Sequence, residues 1–62
     1  MKDWFVWLNG KVVADYKRKD NALNYCGKIM VERGLDCDSD VLYIENFHTG
    51  EVIDIPLLRR VG

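Results

Sequence analysis

Apolar residues form two extended runs near the N-terminus and alternate with polar ones in two stretches near the C-terminus, and between these they recur at helical spacing. Trp4 to Leu8 is aromatic and β-branched, Asn9-Gly10 follows, and Lys11 to Tyr16 resumes with Val12-Val13. Two extended runs around Asn-Gly predict a hairpin with a type I′ turn. A two-residue loop pairs Leu8 with Lys11, Trp7 with Val12, Val6 with Val13, Phe5 with Ala14 and Trp4 with Asp15. One face then carries Phe5, Trp7, Val12, Ala14 and Tyr16, the other Trp4, Val6, Leu8 and Val13, so neither is polar.

From Asp20 to Arg33, residues Ala22, Leu23, Cys26, Ile29, Met30 and Arg33 recur at steps of three and four, opposite Asn24, Lys28 and Glu32. This is the pattern of an amphipathic helix. Asp20 or Asn21 is placed to cap it, and Gly34 to stop it in the left-handed conformation with Leu35 as the following apolar contact. Gly27 sits inside the helix, where glycine costs about 1 kcal/mol relative to alanine, and a close approach of helix to sheet would account for it.

After the polar loop Asp36-Cys37-Asp38-Ser39-Asp40, the runs Val41 to Phe47 and Glu51 to Leu57 predict a second hairpin around His48-Thr49-Gly50. Pairing Phe47 with Val52 gathers Leu42, Ile44, Asn46, Ile53, Ile55 and Leu57 on one face and sets Glu45 opposite Asp54 on the other. Like charges in that position repel, so a nearby cation is expected: Arg59, Arg60, Lys11 or a partner's base. Pro56 suits the end of an edge strand. Residues 59–62 read as a loose tail of a single domain spanning 1–62. The expected fold is α+β, a β-β-α-β-β chain in which two hairpins form an antiparallel sheet and one helix packs on one face.

A chain of 62 residues with 48% apolar content has a small core, since a domain this short buries only about 60% of the surface its unfolded form exposes. One helix cannot cover both sheet faces. If Phe5, Trp7, Val12 and Ala14 turn inward, Trp4, Val6, Leu8 and Val13 lie outside beside Tyr43, Phe47 and Val52. In the opposite arrangement Phe5, Trp7, Val12, Ala14 and Tyr16 lie outside with the same three. Either patch exceeds what monomers usually expose. The expected activity is protein binding through this open face, as a homodimer or as a small inhibitor or adaptor. Candidate residues are Trp4, Val6, Val13, Tyr43, Glu45, Phe47, Val52 and Asp54.

Net charge is −1, but its distribution is uneven. Up to Arg33, seven bases face four acids, giving +3; from Gly34 onward two bases face six acids, giving −4. Mutual attraction of the two halves is the simplest consequence, with steering of a charged partner or head-to-tail self-association the alternatives. Lys17-Arg18-Lys19, with Lys28, raises a second possible function, a nucleic-acid-binding module. The acidic second half and the missing basic excess weigh against it.

Catalysis and metal binding have weak support. Asp36-x-Asp38-x-Asp40 copies the start of an EF-hand loop, but Val41 stands where glycine is needed and Phe47 where a bidentate glutamate is needed. Cys26, Cys37 and His48 lack the close-spaced pairs of a zinc site, and Cys37 lies among carboxylates, which blunts its reactivity. Ser39 or Thr49 beside His48 would need a pocket that so short a chain can hardly enclose. No cofactor, metal or small-molecule substrate is expected, and no enzyme activity. Two cysteines and a short N-terminal apolar run fit a reduced, cytoplasmic chain with no signal peptide or membrane span.

The Asn9-Gly10 hairpin, the helix with Ala22-Leu23 near its start and Gly34-Leu35 at its end, and the hairpin turning at Thr49-Gly50 together resemble small β-β-α-β-β domains of unknown function from bacteria and phages. The chain departs from that pattern at Lys17-Arg18-Lys19-Asp20, where such domains often carry Ser or Thr before an acidic pair. The resemblance is compatible with phage-encoded inhibitors that bind a host enzyme, many of which are tiny, non-enzymatic and built around one binding face, and no functional residue is carried over.

Overall fold

In the computed structural model, which describes residues 3–58, β1 runs Trp4–Leu8, β2 Lys11–Tyr16, α1 Lys19–Glu32, β3 Leu42–Asn46 and β4 Val52–Asp54. The fold is α+β. Its four strands form one antiparallel sheet in the order β2-β1-β3-β4. The tail at 59–62, with Arg59 and Arg60, lies outside the described residues.

Asn9 and Gly10 have φ of 53° and 83°, the left-handed pair that a type I′ turn requires. Asn9 also reaches across the sheet end. Its Nδ2 donates to Asp40 Oδ1 at 3.0 Å and its Oδ1 accepts from the Val41 N–H at 2.8 Å. Its own N–H donates to the Val41 carbonyl at 2.9 Å, so one residue both turns the hairpin and ties it to the chain entering β3.

The expected register holds for Leu8 with Lys11 and Trp7 with Val12, then breaks. A bulge leaves Val13 as the extra residue, so Val6 pairs with Ala14, Phe5 with Asp15 and Trp4 with Tyr16. Without it, Asp15 would lie opposite Trp4, on the face toward the helix, and Tyr16 would turn to solvent. Burying an unpaired carboxylate is far more costly than one local kink in a strand.

In the second hairpin Glu45 pairs with Val52, Ile44 with Ile53 and Tyr43 with Asp54, a slip of two residues from the expected pairing. Asn46 sets it. Its Oδ1 accepts from the His48 and Thr49 N–H groups at 2.8 and 3.0 Å, and its carbonyl accepts from the Gly50 N–H at 2.9 Å. The closing contact is therefore Asn46 N–H to the Glu51 carbonyl, 2.8 Å. A slip of two keeps each side chain on its face, but Glu45 and Asp54 become diagonal rather than opposite.

Trp4, Val6, Leu8, Leu42 and Ile44 form one buried cluster with Ala22, Cys26 and Ile29 of α1. The helix starts one residue earlier than expected. Arg18 is its N-cap residue and offers no side-chain cap, so Asp20 lies inside the first turn, where a negative charge suits the helix dipole. At the other end Gly34 has φ 60° and the Leu35 N–H donates to the Met30 carbonyl at 3.1 Å, the six-residue closure of a Schellman stop.

Gly27 is exposed, and a Cβ built there meets nothing within 4 Å, so close packing on the sheet does not explain it. Gly27→Ala is expected to raise unfolding stability by about 0.4–1 kcal/mol, read as a higher urea midpoint with unchanged slope. Asn9→Ala combines a left-handed alanine with two lost side-chain hydrogen bonds and should cost about 2 kcal/mol. Asn9→Gly keeps the turn geometry and should cost less than Asn9→Ala in the same titration.

Candidate functional site

Pairing across the sheet aligns the side chains that point away from α1 into two rows, one from each strand. The first is Asp15, Phe5, Glu45 and Val52; the second is Val12, Trp7, Tyr43 and Asp54. Phe47 follows at the end of β3, exposed, as are Val12 and Val52. These rows define the outer face.

Aromatic contacts give this face its relief. Trp7 and Tyr43, directly paired, stack with ring centroids 5.9 Å apart and planes 8° from parallel. Phe5 and Phe47 meet edge to face at 5.8 Å, and Phe47 also meets His48 edge to face at 5.7 Å. Between them lies an open hollow of about 450 Å³ lined by Phe5, Trp7, Val12, Glu45, Asn46, Phe47 and Gly50. The hollow is an open surface depression and not an enclosed cavity. The Trp7 Nε1 is buried and has no hydrogen-bond partner among the described residues.

Asp3 fixes one edge of the hollow. Its carboxylate Oδ1 lies 2.8 Å from His48 Nε2, and its carbonyl accepts from the Phe47 N–H at 2.8 Å. Asp3 thereby holds Phe47 through its own N–H and through the next residue, His48, although Phe47 lies beyond the last residue of β3.

Five candidate residues, Tyr43, Glu45, Phe47, Val52 and Asp54, come together on this face. Three do not. Trp4 and Val6, 7% and 0% exposed, belong to the core, and Val13, the bulge residue, is half-buried against it. The reason is the alternation of β1, which turns Trp4, Val6 and Leu8 toward α1 and leaves Phe5 and Trp7 outside. Phe5, Trp7, Val12 and Asp15 are the residues the candidate set omits. Phe5, Trp7 and Val12 belong to the other hairpin-face assignment the sequence allows; Asp15 joins them only once the bulge is counted.

Lys17, Arg18, Lys19 and Lys28 are all exposed, but they do not form one patch with the aromatic face. Lys19 Nζ lies 5.8 Å from the ring centroid of Trp4, on the core side of the sheet, and Lys28 is about 14 Å further along the helix axis. Lys11 shares its row with Leu8 and Leu42, so it does not neutralise Glu45 or Asp54 from the outer face.

Asp36, Cys37 and Asp38 bring one ligand atom each within 4.8 Å of one another. The carboxylates of this loop also bond its backbone: Asp36 Oδ1 accepts from the Asp38 N–H at 3.1 Å and Asp40 Oδ2 from the Asp36 N–H at 2.9 Å. The EF-hand-like spacing therefore serves as loop capping. A second hollow, about 320 Å³, lies beside it between Cys37, Asp40, Leu42, Asp54 and Leu57.

Cys26 and Cys37 are free thiols, the first buried and the second exposed. No helix among the described residues is long and apolar enough to cross a membrane. The chain matches no protein-family model, no curated protein and no solved structure.

Burial pushes the Cys26 thiol above its ordinary value of 9.0, because the thiolate is poorly solvated under the helix. The folded state then holds this proton at pH values where the unfolded chain releases it. Stability contributed by the neutral thiol is fully present below pH 9.0 and declines as pH rises through the folded value. A urea series at rising alkaline pH should show this decline in the wild type and a smaller one in Cys26→Ala.

Proposed function

We propose that this β-β-α-β-β chain, with its helix on one sheet face, is a non-enzymatic protein-binding module that works through the other face, as an inhibitor, an adaptor or a self-associating unit. The observation that carries the reading is the concentration of Phe5, Trp7, Tyr43 and Phe47 on the outer face around the 450 Å³ hollow. Monomers seldom expose a contiguous patch of this kind. Aromatic side chains on a rigid sheet lose little conformational freedom on contact and are the usual anchors of interfaces. The resemblance to small domains of unknown function from bacteria and phages is compatible with this reading.

Nothing in the arrangement favours catalysis. His48 is engaged with Asp3, and neither Ser39 nor Thr49 is aligned with it by any hydrogen bond among those described. A nucleic-acid role would rest on Lys17, Arg18, Lys19 and Lys28, which are on the helix or at its start rather than around the aromatic hollow.

Phe47→Ala removes an exposed anchor with little effect on the core. It should weaken capture of the partner by about 30-fold, the scale of a hot-spot truncation, with an unchanged circular dichroism spectrum. Lys17→Glu with Lys19→Glu should leave capture unchanged, as should nuclease treatment. A chain that stays monomeric and retains no protein from a lysate of its source organism, or whose capture follows the lysines, overturns the reading.

A further inference from the structure

We infer that the outer face receives an arginine-bearing segment of a partner protein, with a guanidinium seated against Phe5 between Asp15 and Glu45. This rests on the protein-binding reading above and names the chemistry of the partner.

Two observations converge. Every ionisable strand residue of the outer face that carries charge at neutral pH is an acid: Asp15, Glu45 and Asp54. None of the three has an ion-pair partner among the described residues. The sole base within the strands, Lys11, occupies the row of Leu8 and Leu42. Meanwhile Asp15 and Glu45 are the direct cross-strand neighbours of Phe5, one on each side, with Cβ atoms about 4.5–5.5 Å from its own. Phe5 also lines the hollow with Trp7, Val12, Glu45 and Phe47.

An aromatic ring between two carboxylates suits a planar cation. Guanidinium is more weakly hydrated than ammonium, stacks on ring faces and offers paired donors to a carboxylate, so arginine fits this site better than lysine. Charge argues equally against a second copy docked face to face. Face-to-face docking of two copies would bring together two surfaces whose charged strand residues are all acids, which opposes association. The anionic face likewise repels nucleic acid.

The test is selection from a displayed random-peptide library on the intact chain, followed by titration of the enriched peptides monitored through aromatic side-chain resonances. Enriched peptides should carry arginine and shift the Phe5 and Phe47 rings. They should bind about tenfold or more weakly to Glu45→Gln with Asp15→Asn, surface changes that leave the core intact, and lose affinity when the arginine is replaced by glutamine.

Peptides without arginine that still shift Phe5 and Phe47 overturn the inference and leave the protein-binding reading standing. Arginine peptides indifferent to the Glu45 and Asp15 changes also overturn it, as does a dimer in sedimentation equilibrium that Phe47→Ala dissociates. Binding that leaves the outer face unperturbed, or no enrichment at all, overturns both.

Discussion

Among the described residues, Ala22, Cys26 and Ile29 of the helix share one buried cluster with Trp4, Val6, Leu8, Leu42 and Ile44, and the way β1 and β2 divide their side chains decides what the other sheet face is made of. β1 lies between β2 and β3, so its alternation is imposed on both neighbours. Trp4, Val6 and Leu8 enter the core, which obliges Phe5 and Trp7 to face outward. On β2 the same requirement conflicts with the order Val12-Val13-Ala14-Asp15-Tyr16, because simple alternation would bring Asp15 beneath the helix. The bulge at Val13 resolves the conflict. Ala14 and Tyr16 join the core side, Tyr16 meeting Tyr25 of the helix at 5.7 Å, and Asp15 moves out beside Phe5.

Polar contacts at the two ends of the central strand pair then fix β3 against β1, a pairing of residues far apart in sequence. At one end Asn9 bonds both Asp40 and Val41; at the other Asp3 holds His48 and the Phe47 N–H. Both sets involve exposed side chains, so the individual bonds contribute modestly to stability. Their effect is positional. The first sets where β3 begins, and the second places Phe47 over the edge of the aromatic hollow.

Charge follows the same division. Of the bases in the front of the chain, Lys17, Arg18, Lys19 and Lys28 lie on the helix or at its start, whereas Asp15, Glu45 and Asp54 lie on the outer face. The two signs do not cancel by pairing there, since no lysine or arginine bridges to these acids among the described residues. Among the described strand residues of this aromatic surface, those that carry charge at neutral pH are all acids.

Much of the fold was legible along the chain because the signals are local: Asn9-Gly10 for the first turn, the three-and-four spacing from Ala22 to Ile29 for the helix, Gly34 for its stop, and alternation around Ile44 and Ile53 for the second hairpin. Tyr43, Glu45, Phe47, Val52 and Asp54 were legible as one face for the same reason, since a slip of two residues does not exchange faces. By itself the sequence determined the elements, the excess of apolar residues over what one helix can cover, and the uneven charge. Tertiary structure alone decided which face of the first hairpin is buried. Both its faces are apolar, so hydrophobicity does not separate them; the choice depends on the bulge, on the pairing of β1 with β3, and on the cost of placing Asp15 under the helix. Trp4, Val6 and Val13 moved to the core side for that reason, and Phe5, Trp7, Val12 and Asp15 took the open face.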